Sequence, residues 1–176
     1  MYRQTPGFSA LELLVTMTVA TILLATGVPA IKNYSWNLRM KTAMDVLQTD
    51  LNLARAHAIS HNQKTVICPA TAIKGCSGRP DWHHGWIVFT DLNGDRHKQN
   101  GEPLLKYSGP IESLNISSSR SRKLIRFYPN GTAPGSNVSI RFCDKRGTGH
   151  ARKILVSNTG RIRLDTKVAR STANCP

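Results

Sequence analysis

Acidic side chains are what this chain has least of. It carries 10 Asp+Glu against 24 Lys+Arg, a formal net charge of +14 over 176 residues. The deficit is uneven. Residues 1–119 hold 11 basic against 8 acidic side chains, and residues 120–176 hold 13 against 2. A basic surplus of that density adds self-repulsion that a neutral partner would not justify, and it favours a polyanion, either nucleic acid or an anionic surface. Cysteines are few as well, at 68, 76, 143 and 175, and none stands in a CxxC pair. That spacing argues against a zinc or redox centre. GxSxG, HExxH, P-loop and dinucleotide fingerprints are all missing, and no Ser or His has a setting that singles it out. The chain reads as a protein without catalysis, metal or cofactor. Strands and helices do not alternate and no repeat recurs, which excludes a doubly wound sheet or a solenoid.

What the chain does have is one long apolar run, Phe8 to Ile31, with Glu12 as its one formal charge. Hydrocarbon about 30 Å thick is crossed by roughly 20 apolar residues of helix, so this run is long enough to span a bilayer. An unpaired carboxylate in that setting costs several kcal/mol, so Glu12 needs a purpose. The leader, MYRQTPG, has Arg3 as its one charged side chain, and no small-residue site for a secretory signal peptidase follows the apolar core. A short basic leader ending in Gly7, then Phe8, then Glu12 at the head of an apolar helix, resembles the class III signal of type IV pilins and pseudopilins. That resemblance implies cleavage by a prepilin peptidase between Gly7 and Phe8, with methylation of the new terminal Phe8. It also implies that Glu12 meets the terminal amine of a neighbouring subunit during assembly.

The organisation expected is a leader at 1–7, a transmembrane and filament-core helix at 8–31, an amphipathic continuation at 32–61 and a β-rich globular domain at 62–176. Gly27 and Pro29 predict a kink or local melt near 25–29. Downstream, Met44, Leu47, Leu51, Ala54 and Ala58 recur at helical spacing opposite Lys41, Asp45, Gln48, Asn52 and Arg55. His57 and His61 are four apart on this helix without an acidic third ligand, and read as polar surface. Eight short β runs then follow, from TVIC (65–68) to RIRLD (161–165), separated by Gly, Pro and Asn turns. The fold class is α+β: a long N-terminal helix packed on a mainly antiparallel sheet domain. Trp82, Trp86 and Phe89 around His83-His84 read as a packed corner of that domain.

Between them these elements leave two local questions. In DLNGDRHKQNGE, Asp91, Asn93, Asp95 and Glu102 fall at positions 1, 3, 5 and 12 of a calcium loop, yet position 6, which needs glycine, is Arg96. A basic residue there argues against a cation cage. Four cysteines in a periplasmic or extracellular domain allow three pairings. Cys68–Cys76, closing a short loop, and Cys143–Cys175, tying the tail to a strand, are favoured.

The functional signal lies in the basic last third. Arg120, Arg122, Lys123 and Arg126 lie at one strand and Arg141 in the next, while Lys145, Arg146, Arg152 and Lys153 flank a Gly-rich turn. In Gly160-Arg161-Ile162-Arg163, strand alternation puts both arginines on one face and Ile162 on the other. Two guanidiniums about 6.5–7 Å apart match successive phosphates of a nucleic-acid strand. Gly160 permits a positive φ or a close phosphate approach to the backbone. Singly, each arginine also fits a solvated strand edge. NLARAHAISHNQ on the long helix, CPA before a second Cys, WHHGWIVFTDLNGD, IRFYPNG and GRIR before a final Cys together resemble the GspH/FimT family of minor pilins and pseudopilins, over essentially the whole chain. Within that family, members from transformation pili bind extracellular DNA through a GRxR motif, which implies a role for Gly160, Arg161 and Arg163.

Two functions follow as expectations. One is a minor type IV pilin that binds double-stranded DNA without strong sequence preference, for uptake in natural transformation. The other is a structural or priming minor pseudopilin of a type II secretion system or pilus. Either implies other major and minor pilins as partners, with the inner membrane as the site before assembly into a pilus or pseudopilus.

Overall fold

The computed structural model describes Gly7, residues 9–165 and Cys175. Phe8, with its expected methylation, and most of the 1–7 leader lie outside the described residues. Two compact units follow one another, Met1–Arg39 and Met40–Pro176.

Helix α1 is Ala10–Ser60, 51 residues, with residues 10–39 in the first unit and 40–60 in the second. Ser9 starts it: its Oγ accepts the backbone N–H of Glu12 at 3.2 Å. Ser-x-x-Glu is the spacing of a capping box, a start signal that the sequence carries in plain view. Gly27 and Pro29 do not melt the helix, which stays α-helical from end to end. Proline removes one backbone bond, and a helix of this length keeps its neighbouring bonds on both sides. In the first unit the large apolar side chains Leu11, Leu14, Ile22, Leu23, Leu24 and Ile31 are exposed. This stretch is long and apolar enough to cross a membrane.

The second unit holds residues 40–60 of α1 and eight strands. They are β1 (Thr65–Pro69), β2 (Trp86–Thr90), β3 (Leu104–Ser108), β4 (Asn115–Ser117), β5 (Ile125–Phe127), β6 (Val138–Cys143), β7 (Arg152–Val156) and β8 (Ile162–Asp165). Every one coincides with an expected β run. They form two four-stranded antiparallel sheets, ordered β3-β2-β1-β5 and β4-β6-β7-β8. Strands β1 and β2, central in the first sheet, are buried on both faces. One face, with Ile67, Trp86 and Val88, joins the main core beside Met40, Met44, Leu47, Leu51, Ala54 and Ala58 of α1 and Ile140, Phe142, Ile154 and Val156 of the second sheet. The other, with Val66, Ile87 and Phe89, packs on the loop closed by Cys68–Cys76. Cys143 pairs with Cys175. Both favoured disulfides are therefore present.

A charged residue sits on the buried stripe of the helix. Asp50 is 3 % exposed, and its Oδ2 accepts the Trp86 indole N–H at 2.8 Å and the Ser108 hydroxyl at 2.6 Å. This carboxylate pins the helix to two neighbouring strands of the first sheet. The hydrophobic pattern could not single out Asp50, because its partners are 36 and 58 residues away. Trp82 also packs in the core and donates to the Ser118 hydroxyl at 3.1 Å, so the aromatic corner is structural.

Removing the Asp50 acceptor strands two buried donors, each costing about 1–3 kcal/mol. Asp50→Ala is expected to lower unfolding stability by about 2–5 kcal/mol. Asp50→Asn, which keeps an acceptor oxygen, is expected to lose less. Denaturant unfolding followed by tryptophan fluorescence measures both, and equal stability of Asp50→Ala and wild type would contradict the pin.

Candidate nucleic-acid interface

The GRIR stretch begins in a tight turn between β7 and β8. Gly160 donates to Ser157 O at 2.9 Å, Ser157 N–H to Arg161 O at 3.0 Å, and Arg161 N–H to the Ser157 hydroxyl at 3.2 Å. Gly160 has φ +76°, and a Cβ there would lie 1.9 Å from the Gly131 carbonyl oxygen. No side chain fits at that distance. The space that looked open to a phosphate is filled by the Pro129-Asn130-Gly131 turn, so the glycine serves the fold and the phosphate-approach expectation is set aside. Arg55 of α1 donates from Nε to the same Gly131 oxygen at 3.0 Å, and Ala133 N–H donates to Asn158 O at 2.8 Å. Helix, first-sheet turn and second-sheet turn are thereby held together just before the two arginines.

From this anchor Arg161 and Arg163 emerge exposed, while the half-buried Ile162 packs against the main core. Strand β8 is an edge strand, and antiparallel register puts paired residues on one face. Arg141, Lys153 and Asp165 form one row across β6, β7 and β8, and Ser139, Leu155 and Arg163 form the next. This outward face opposes the one that carries Ile140, Ile154 and Val156 into the core. Arg152 pairs with the buried Phe142 instead, so its row faces inward and it leaves the set formed by Lys153.

The remaining basic residues separate into distinct roles. Arg120, Arg122 and Lys123 are exposed on the loop between β4 and β5, beside the first sheet, and Lys145 is exposed after β6. Two of the expected DNA-binding residues, Arg126 and Arg146, are engaged by partners within the fold. Arg146 meets Asp144 with both Nε (3.1 and 3.2 Å) and Nη2 (2.6 Å), a forked pair almost shielded from solvent. Arg126 is 8 % exposed; it lies 3.6 Å from the Asp91 carboxylate, donates to Gly94 O at 3.0 Å and to the Tyr128 hydroxyl at 2.6 Å. Lys153 pairs with Asp165 at 3.3 Å on the partly exposed face, an arrangement that weakens its charge without hiding it. Charge counts do not reveal the longer-range pairings of Arg126 with Asp91 and Lys153 with Asp165, whereas Arg146 and Asp144 stand two positions apart in the sequence.

The acidic loop is similarly occupied. Glu102 accepts the N–H groups of Leu92 and Gln99 at 2.9 Å each, Asp95 accepts that of His97 at 2.7 Å, and Asp91 accepts that of Arg96 at 3.3 Å. Arg96 has φ 70°, the left-handed geometry that position 6 of a calcium loop requires of glycine. The guanidinium of Arg126 supplies the positive charge this loop holds.

These elements match known proteins at two levels. A family model described as Type II transport protein GspH matches residues 43–160, about two thirds of the chain. The chain belongs to the GspH family. Two crystal structures of the type IV minor pilin FimU from Pseudomonas aeruginosa (strain PAO1) share the fold of this GspH-family chain. One has a TM-score of 0.60 at 20 % identity, covering 79 % of this chain and 95 % of that one. The other has a TM-score of 0.56 at 22 % identity, covering 75 % and 94 %. Among curated proteins none matches the chain. The GspH-family chain thus has a pilin-like fold, and its described N-terminal helix is long and apolar enough to cross a membrane. The matched region stops at Gly160, so Arg161 and Arg163 lie just beyond it.

Gly160→Ala combines a positive φ with overlap against backbone, and is expected to cost more than about 3 kcal/mol in a denaturant melt. A melt unchanged by that substitution would refute the packed-turn explanation. The pH response follows from Asp144. Burial raises the pKa of its carboxyl, but hydrogen bonds from the Arg146 side chain and backbone, with the Arg146 charge, outweigh burial and hold it below the usual carboxylate value. A depressed folded pKa contributes stability that is present above the unfolded pKa and is lost as pH falls through the folded one. The Asp144→Asn variant is therefore expected to lose less stability than wild type between pH 4 and pH 2, about the range of carboxylate titration, when melts are compared across that interval.

Proposed function

We propose that this GspH-family subunit assembles into a type IV pilus or pseudopilus and that its second sheet binds double-stranded DNA there, through backbone phosphates and without strong sequence preference. The assembly role has the support of the family match and of the apolar helix with Glu12 in its first turn. One observation carries the DNA reading. Arg163 stands exposed on edge strand β8 and Arg161 in the turn just before it, neither with an ion pair to any described residue, beside a face that also bears Arg141 and Lys153. An edge strand backed by core packing is stiff, so the two guanidiniums approach a duplex with little ordering cost. Lys145 and the loop cations Arg120, Arg122 and Lys123 extend the positive field. The resemblance to DNA-binding members of transformation pili supports the same residues, with Gly160 as the turn that sets their direction. In this reading the prepilin peptidase matures the subunit at Gly7–Phe8, and Glu12 aligns it with its neighbours.

A second reading is favoured by the family description itself: a subunit that primes or caps a secretion pseudopilus and touches protein alone. Mobility shifts separate the two. The full chain in non-ionic detergent micelles is expected to retard duplex DNA, with affinity falling steeply as salt rises. Arg161→Ala/Arg163→Ala is expected to weaken binding at least about tenfold and to flatten the salt slope by roughly two phosphate contacts. Absence of a shift, or equal shifts for the two proteins, leaves the pseudopilus reading standing.

A further inference from the structure

The loop between β4 and β5 borders a cavity of about 270 Å³ lined by Arg96, Ser121, Arg122, Lys123, Arg126 and Ser136, among others. Four of these are cations, and no carboxylate is among the lining residues. We infer that this cavity is a seat for a single phosphoryl oxyanion, separate from the open face of β8.

Arg126 makes it a built site and not a chance gathering of surface charge. It is nine-tenths buried, fixed by Gly94 O, the Tyr128 hydroxyl and the Asp91 carboxylate, and stacked 4.9 Å from the Tyr128 ring centre. Its position is therefore settled before any ligand arrives. Within that network neither its Nε–H nor the facing Asp91 Oδ2 has a hydrogen-bond partner, so a buried donor is left over on a side chain that lines the cavity. Asp91 offsets one positive charge from behind. Arg96, Arg122 and Lys123 remain exposed around the same concavity, where like charges repel and an anion relieves them. Ser136 accepts the backbone N–H of Arg126 at 3.2 Å, which leaves its hydroxyl proton to donate. Ser121 adds a second hydroxyl.

Several cations and two hydroxyls around one small hollow suit an anion with three or four oxygens and up to two charges. A carboxylate, planar and singly charged, uses fewer of them. The hollow is concave, whereas the β8 face is a strand surface that suits a continuous backbone. The phosphoryl group could be inorganic phosphate or one phosphodiester of a nucleic acid, and the inference does not depend on the DNA reading.

The test uses the full chain in detergent micelles, with inorganic phosphate as the probe against chloride at matched ionic strength. Phosphate at roughly ten times its Kd is expected to raise the Tm by about 3–5 °C, saturably. Arg122→Gln/Lys123→Gln removes two exposed side chains, should keep its far-UV spectrum and its Tm in chloride, and is expected to lose that rise. Arg96→Gln gives an independent variant from another loop, with a reduced rise. Arg161→Ala/Arg163→Ala is expected to keep it. A short duplex lacking terminal phosphates then distinguishes the sources: displacement of phosphate marks a backbone phosphodiester as occupant, and phosphate retained under saturating duplex marks the free anion. Equal rises in phosphate and chloride, or a full rise in Arg122→Gln/Lys123→Gln, overturn the seat. Failure of the DNA mobility shift alone would sink the DNA reading and leave the phosphate result intact.

Discussion

The contact of Gly160 with the Gly131 carbonyl is the constraint on which the exposed arginines depend. The turn after β5 and the β7–β8 turn meet there without a side chain between them, and Arg55 of the helix closes the junction by donating to the same oxygen. Backbone against backbone leaves little freedom, so the start of β8 is set to within the tolerance of van der Waals contact. Ile162 then faces the core and the arginines face outward because strand alternation permits no other choice. A motif glycine often invites a ligand explanation. In this fold its conformational freedom is used for packing, and the direction of the neighbouring guanidiniums follows.

Charge in the globular domain obeys a similar economy. Asp50, Asp91, Glu102 and Asp144 are all buried, each accepting hydrogen bonds or an ion pair inside the fold. A chain already short of acidic residues thus withdraws four of them from the surface. Arg126 and Arg146 are withdrawn in the same exchange, but the exposed balance remains basic because the last third had so many cations to begin with. The potential seen by a partner is therefore the remainder after internal pairing, and it is focused at β8 and at the loop before β5.

Much of the architecture was legible from local pattern. The apolar run, the helical stripe through Leu47, Leu51, Ala54 and Ala58 and all eight strands follow from periods of 3.6 and 2. Both disulfides agree with the favoured pairing. Of the kink or local melt expected at Gly27 and Pro29, the melt does not occur, since helix continues through both positions. Among the basic residues, exposure of Arg161 and Arg163 came from alternation alone. The withdrawal of Arg126 did not, since Asp91 is 35 positions from Arg126 and only the β1–β5 pairing draws the loop across, whereas Arg146 pairs locally with Asp144. Arg96 stood in the sequence only as a defect in a calcium pattern; the cavity it shares with Lys123 exists through tertiary contact.

By itself, then, the sequence determined the long apolar helix, the antiparallel class of the domain and the sign of its surface, because each rests on composition or short-range periodicity. Tertiary structure decided which cations remain available, what Gly160 is for, where Asp50 holds the helix, and that a concave basic site forms between three loops. Apart from the local Asp144–Arg146 pair, those outcomes depend on pairs of residues tens of positions apart. Burial decides them, because a carboxylate taken out of water must find a donor wherever the packed chain supplies one.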